Sequence, residues 1–115
     1  MANPVTQSYE GGRKLAAGWI STDQAPLAAD TYYQGMLLEY DAVTNNVYQA
    51  LSAGTLAAIY NGPDGDTVTL GDERNLIIAG EISASGLVDA TGAALTLTEA
   101  NKAAYRDAGF YIKED

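Results

Sequence analysis

The 115-residue sequence contains neither cysteine nor histidine. Without cysteine, the chain offers no disulfide and no thiolate ligand for a metal. Without histidine, it lacks the commonest general base and the commonest metal ligand. An enzyme built on this chain would have to work with carboxylates, lysine or tyrosine alone. The sequence therefore predicts a protein that is not an enzyme and that uses no cofactor or metal.

Basic residues are also scarce, with six Lys and Arg against fifteen Asp and Glu, a net charge of −9. A nucleic-acid binder needs cations to displace counterions from phosphate, so this balance argues against DNA or RNA as a partner. An anionic membrane surface is disfavoured for the same reason. No apolar run reaches membrane-spanning length, and the first residues lack the pattern of a signal peptide. We expect synthesis in the cytoplasm and no membrane partner.

A cluster of acidic and amide side chains lies between residues 61 and 72, and it raises the question of a calcium site. The spacing of an EF-hand loop is not met, because Pro63 and Gly65 occupy two of its ligand positions. We interpret this segment as a polar hairpin loop. The residues of this cluster that could act as ligands are Asn61, Asp64, Asp66 and Asp72.

Turn signals recur every eight to twelve residues after Gly35, which is typical of a small barrel or sandwich of short strands. The fold class predicted is mainly β (α+β): a small β-rich, barrel-like domain over residues 31–115. Short apolar or alternating runs predict the strands, with turns at 41–46, 61–66, 71–75 and 89–92. The predicted strands begin near residues 35, 47, 55, 67, 76 and 110.

One helix is predicted near residues 97–108. Thr96 and Glu99 have the spacing of a capping box, and Gly109 is placed to end the helix in the left-handed conformation. Small apolar residues recur at helical spacing and predict a thin face that packs tightly on a sheet. That face consists of Leu97, Ala100, Ala104 and Ala108.

Residues 1–30 lack sustained periodicity, and two interpretations remain open. The segment is either irregular chain packed on its own domain, or an extended N-terminal arm that becomes ordered on a partner. The arm interpretation is favoured because the single apolar island, at residues 15–20, has no evident partner within the sequence. The predicted partner-binding residues are Arg13, Lys14, Leu15, Trp19 and Ile20.

Taken in order, these segments resemble the lambda-type head decoration proteins of tailed bacteriophages. The resemblance spans residues 35–113. It is carried by the strands Gly35-Met-Leu-Leu-Glu-Tyr-Asp, Thr55-Leu-Ala-Ala-Ile-Tyr and Leu76-Ile-Ile-Ala-Gly-Glu-Ile, and by the Ala-rich helix closed by Ala108-Gly-Phe-Tyr-Ile. It implies a homotrimer that binds the major capsid protein on the outer surface of the expanded capsid. It also implies that the protein stabilises the virion against the pressure of packaged DNA.

An alternative function is a small β-rich phage tail or carbohydrate-binding module. That alternative predicts a monomer with a concave aromatic site. Eight tyrosines and one tryptophan are many for so small an acidic chain. Because Tyr and Trp are favoured where a surface is half buried against a partner, their number fits either function.

Overall fold

The computed structural model describes residues 15–114. These residues form a mainly β domain with one short α-helix, which confirms the predicted fold class at this level. The elements are β1 (Ala16–Pro26), β2 (Asp30–Tyr32), β3 (Leu37–Asp41), β4 (Val47–Ala50), β5 (Ala58–Tyr60), β6 (Asp66–Val68), β7 (Glu73–Ser83), α1 (Glu99–Asp107) and β8 (Phe110–Lys113).

The main sheet is organised around the long strand β7. Its strand order is β1-β7-β5-β3-β4, and β8 pairs with the C-terminal half of β7. All of these pairings are antiparallel except β7 with β8, which is parallel. An isolated parallel bridge joins Leu27, just after β1, to Tyr48 on β4. The two outer strands of the sheet are therefore brought together at this point.

Alternating side chains give the sheet a core on each face. On one face, Tyr32 of β2 and Val68 of β6 close the first core, because these two strands pair as a separate ribbon. The remaining buried members of this ribbon-side core are Ala25, Leu27, Met36, Leu38, Ala58, Tyr60, Leu76 and Val88. The helix-side core on the other face contains Leu15, Leu37, Leu56, Ile59, Ile77, Ile82, Leu87 and Phe110.

Several predicted strands and turns are confirmed. The hairpin of β3 and β4 turns where expected, with Asn46 in the left-handed conformation and the Asp41 carboxylate accepting hydrogen bonds from the amides of Val43 and Thr44. The predicted turn at residues 71–75 is too long, because β7 already begins at Glu73. Its pairing with β1 extends this strand beyond the apolar run that predicted it.

The predicted arm over residues 1–30 differs from the structure where the chain is described. Residues 16–26 form β1 and pair with β7 along almost its whole length, and residues 30–32 form β2. The cause is backbone pairing, which a segment without hydrophobic periodicity can still make as an edge strand. Residues 1–14, the rest of the predicted arm, lie outside the described residues.

The centre of the molecule depends on a close backbone approach at Gly80. Its φ is +141°, and a Cβ atom added there would lie 2.6 Å from the carbonyl oxygen of Trp19 and 2.7 Å from the Cα of Ile20. The register of β1 shifts here, since Ala16 pairs with Ile82 and Ile20 with Gly80. Three β1 residues thus lie opposite the single residue Glu81, which is a β-bulge.

The helix is shorter than predicted, and the predicted capping box is wrong. Thr98 is the N-cap, and its hydroxyl accepts a hydrogen bond from the Asn101 amide at 3.1 Å while the Asn101 side chain accepts one from the Thr98 amide. At the other end Gly109 has φ +99°, as predicted.

The predicted apolar face is correct only at its two ends. Leu97 and Ala108 pack against the helix-side core, whereas Ala100 and Ala104 are exposed. No residue of the helix is fully buried, and the ring of Tyr105, whose pKa is raised by burial, makes a further contact with the same core. Tyr105 and Asn101 line two open pockets of about 200 and 290 Å³ beside the helix.

Replacing Gly80 with alanine should lower the free energy of unfolding by about 3 kcal/mol, because it combines a backbone conformation reserved for glycine with a clash against β1. The matched control is Gly65→Ala. Gly65 also has positive φ but has nothing within 4 Å of an added Cβ, so about 1 kcal/mol is expected. Urea unfolding measures both. Equal losses would show that the close approach at Gly80 is not a constraint.

Replacing Thr98 with alanine should lower the free energy of unfolding by about 1 kcal/mol, the usual effect of losing an N-cap side chain. Thr96→Ala is the control, because Thr96 is exposed and lies before the cap. Chemical denaturation of both variants is the measurement. A larger loss in the Thr96 variant than in the Thr98 variant would contradict the observed cap.

Candidate functional site

The structure separates the predicted partner-binding residues. Arg13 and Lys14 lie outside the described residues. Leu15 has no exposed surface and is part of the helix-side core, while Ile20 packs against the same core. The expectation that this apolar island has no partner of its own is therefore wrong for these two residues. Trp19 alone among the described ones is open to solvent, with 52% of its surface exposed.

Trp19 is accompanied by a second exposed aromatic residue, Tyr111 on β8, which is 41% exposed. The two ring centroids are 6.5 Å apart and the ring planes are inclined by 55°. β1 and β8 pair with opposite edges of β7 near Gly80, so their backbones are separated by about two strand spacings, or about 10 Å. The two rings therefore lean toward each other across β7.

Glu81 lies on β7 between these two aromatic residues. It is paired with Tyr111 in the parallel ladder with β8, and it faces the bulge of β1 on the other side. A Cβ atom on Gly18 would meet the Glu81 carboxylate oxygen Oε1 at 1.8 Å. The missing side chain of Gly18 thus makes the space in which this carboxylate lies. We call Gly18, Trp19, Glu81 and Tyr111 together the Trp19 patch.

Strand alternation explains why this patch points outward. Phe110 and Ile112 contact the helix-side core, so Tyr111 between them faces solvent. Ile77 and Ile82 both face the same core although they are five residues apart, which a regular strand does not allow. The irregular backbone at Gly80 between them accounts for this change of face. It leaves Glu81, next to the buried Ile82, on the outer surface.

Sequence reasoning identified Trp19 but missed Tyr111 and Glu81. The alternation of Phe110, Tyr111 and Ile112 carried a signal that Tyr111 is exposed. Nothing in the sequence indicated that β8 would pair in parallel with β7, nor that a bulge would bring Trp19 next to Glu81. Those two placements are properties of the fold.

A second exposed aromatic pair lies on the β3–β4 hairpin. Tyr40 is 45% exposed and packs edge-on against Tyr48, with ring centroids 4.9 Å apart. The neighbouring carboxylate of Glu39 is already engaged by its own chain, because it accepts hydrogen bonds from the Ser52 and Gly54 amides and from Gln49. The Ser52 amide is the main cause of the lowered pKa of Glu39. This pair offers no free carboxylate.

The most enclosed charged cluster connects β5, β6 and β7. Asp66 Oδ2 accepts a hydrogen bond from Arg74 Nε at 2.7 Å and another from the Tyr60 hydroxyl. The Arg74 guanidinium holds the pKa of Asp66 below its usual range, whereas burial raises the pKa of Tyr60. Tyr60 also stacks on Tyr32 with centroids 5.4 Å apart. The arrangement fastens the β2–β6 ribbon to the main sheet.

The shifted carboxyl groups share one direction. Hydrogen bonds from neighbouring amides, hydroxyls and Arg74 lower the pKa of each of them, so they are charged acceptors at neutral pH. A general acid requires the opposite shift. They are Glu39, Asp41, Asp66, Asp72 and Asp89.

Among residues 15–114, no three acidic side chains converge in a way that would hold a metal ion. No helix within this range is long and apolar enough to cross a membrane.

Comparison of the chain with protein-family models, curated proteins and solved structures gave no match. The Trp19 patch is thus the candidate site on geometry alone.

The Asp66–Arg74 pair should make stability depend on pH. Because the folded-state pKa of Asp66 is lowered, its contribution is present above the unfolded pKa of about 4 and is lost as pH falls through the folded value. We expect wild type to be more stable than Asp66→Asn at neutral pH, and this gap to close below about pH 4. Unfolding free energies measured from pH 7 to pH 2 test this.

The control variant is Asp107→Asn, which removes a carboxylate from an exposed position near the end of helix α1. It should not reproduce the closing gap. A gap for Asp66→Asn that stays constant down to pH 2 would mean that the ion pair contributes nothing to stability.

Proposed function

We propose that this chain is a bacteriophage head decoration protein. In this function it binds the major capsid protein on the outer surface of the expanded capsid and stabilises the virion against the pressure of packaged DNA. It is synthesised in the host cytoplasm and acts as a homotrimer. The resemblance of residues 35–113 in element order and apolar pattern motivates the proposal, together with a composition that favours a structural role.

The observation that carries the proposal is the exposed Trp19 patch, which spans β1, β7 and β8 on the outer surface of the main sheet. A large exposed aromatic residue is a typical anchor for a protein partner, because it buries much apolar area with little loss of side-chain freedom. Trp19 lies only four residues after Leu15, where the described chain begins. We propose that residues 1–14 and this patch engage one partner.

The sheet supports a barrel-like description of the body. The bridge between Leu27 and Tyr48 brings the end of β1 next to β4, so the outer strands approach closure. A sheet whose outer strands are linked in this way suits a mechanical role, in which a decoration protein has to hold neighbouring capsid subunits in fixed positions.

Trimer formation would allow each contact with the capsid to be weak. Three copies joined together raise the effective concentration of the second and third contact once the first has formed. The net charge of −9 keeps such a protein soluble before it reaches the capsid.

A carbohydrate-binding module is the second candidate, and the Trp19 patch again favours it. Exposed aromatic rings beside a carboxylate are suited to stacking on a sugar and to accepting its hydroxyl hydrogen bonds. The 55° inclination between the rings of Trp19 and Tyr111 argues against this function, because it denies a sugar one flat platform. A monomer in solution with affinity for glycans would favour the module over decoration.

The test is to mix the purified chain with expanded capsids that lack decoration protein and to image them by electron microscopy. We expect trimers at the local three-fold axes. A variant without residues 2–14 should bind much more weakly and yet fold normally, because β1 begins only at Ala16. A deletion through residue 20 is less informative, since it removes part of β1.

The matched control carries residues 2–14 in scrambled order, which keeps length and composition. It should behave like the deletion if specific contacts matter. Capsids that stay undecorated by the full-length chain would refute the proposed function. Equal decoration by the full-length and shortened chains would restrict binding to the described domain.

A further inference from the structure

The Glu81 carboxylate is unusual among the shielded acidic groups of this domain. It is partly buried, yet no hydrogen bond or ion pair engages it within residues 15–114. By contrast Asp66 is paired with Arg74, and Glu39 accepts three hydrogen bonds from its own chain. A carboxylate that has no partner of its own is available to a cation that binds beside it.

The surroundings of Glu81 suit a cation. The rings of Trp19 and Tyr111 stand on either side of its strand and are inclined to each other, so they form a wedge rather than a platform. The faces of Trp and Tyr rings carry negative electrostatic potential and attract Lys and Arg side chains. A carboxylate next to such a pair of rings adds the attraction of its own negative charge.

The space for this arrangement comes from Gly18. Because it has no side chain, the Glu81 carboxylate lies over the backbone of the β1 bulge instead of extending into solvent. The cations of the described chain do not occupy the wedge. Lys102 is paired with Glu99 and Glu114, and Lys113, the nearest cation along β8, makes no ion pair with Glu81.

We propose that Gly18, Trp19, Glu81 and Tyr111 form a cradle for one Arg or Lys side chain of the protein partner. This inference rests on the proposed function, because it takes the partner to be the capsid protein. The partner's contact residue is then an Arg or Lys whose positively charged group pairs with the Glu81 carboxylate. Its aliphatic chain, or the guanidinium plane of Arg, packs on the rings of Trp19 and Tyr111. Arginine fits best, since its planar group both stacks and donates in a fixed geometry.

The first experiment uses Trp19 fluorescence, because this is the only tryptophan in the chain and it lies in the cradle. N-acetyl-arginine amide is titrated into the full-length protein at constant ionic strength. N-acetyl-citrulline amide, which has nearly the same shape but no charge, is the matched ligand control. We expect a saturable change with the arginine compound and none with the citrulline compound. A neutral hexose is titrated in parallel.

Two test variants and one control variant examine the protein side. Glu81→Gln should weaken the arginine compound about fivefold, the upper range for a partly exposed charge pair. Glu73→Gln removes the same charge from an exposed position on the same strand and should leave binding unchanged. Gly18→Ala keeps every charge but displaces the carboxylate, so it should weaken binding as well. Urea unfolding of each variant verifies that the fold is retained.

The outcomes separate the cradle from the proposed function. Equal responses to the arginine and citrulline compounds, or a response to hexose alone, would overturn the cradle whatever happens on capsids. Decoration of capsids that is equally tight for wild type and Glu81→Gln would also overturn it, while the proposed function would stand. Cation binding by wild type without any decoration of capsids would support the cradle and refute the proposed function.

Discussion

The close contact between β1 and β7 at Gly80 is the constraint on which the rest of the domain depends. Three strands meet there, because Gly80 pairs with Ile20 on one side and with Phe110 on the other. A side chain at this position would collide with the backbone of β1. The same irregularity changes the face of β7, so that Ile82 returns to the helix-side core and Glu81 faces outward. Gly80 thus affects both the packing of Ile82 in the helix-side core and the position of Glu81 on the outer surface.

The sequence predicted those elements that local chemistry decides. The turn at Asp41 to Asn46, the strand at Phe110 and the left-handed Gly109 were confirmed because each depends on neighbouring residues. β1 was missed because most of its residues are exposed, which removes the alternation that identifies a strand. The capping box was placed two residues early because Thr96 and Glu99 match the usual sequence pattern, whereas the observed box uses Asn101 at N3 in place of Glu or Gln.

The candidate site was predictable only in part, for a related reason. Trp19 can be identified from the sequence as the single tryptophan. Its spatial neighbours, Glu81 and Tyr111, are brought next to it only by the pairing of β1, β7 and β8. The burial of Leu15 could not be predicted from the sequence either, because it depends on a core formed by residues that are distant along the chain. A short sequence segment can thus indicate an exposed anchor residue such as Trp19. It does not show whether the apolar residues next to that anchor pack in the protein's own core or against a partner.

The pairing around Ser83 has a geometrical consequence for anything joined to this domain. The Ser83 amide donates a hydrogen bond to the carbonyl of Leu15, and Ser83 pairs with Lys113 on its other side. The first and last strands of the described chain therefore flank one residue, with their ends about 10 Å apart. The described chain therefore enters the sheet at Leu15 and leaves it at Lys113 side by side, on the same rim.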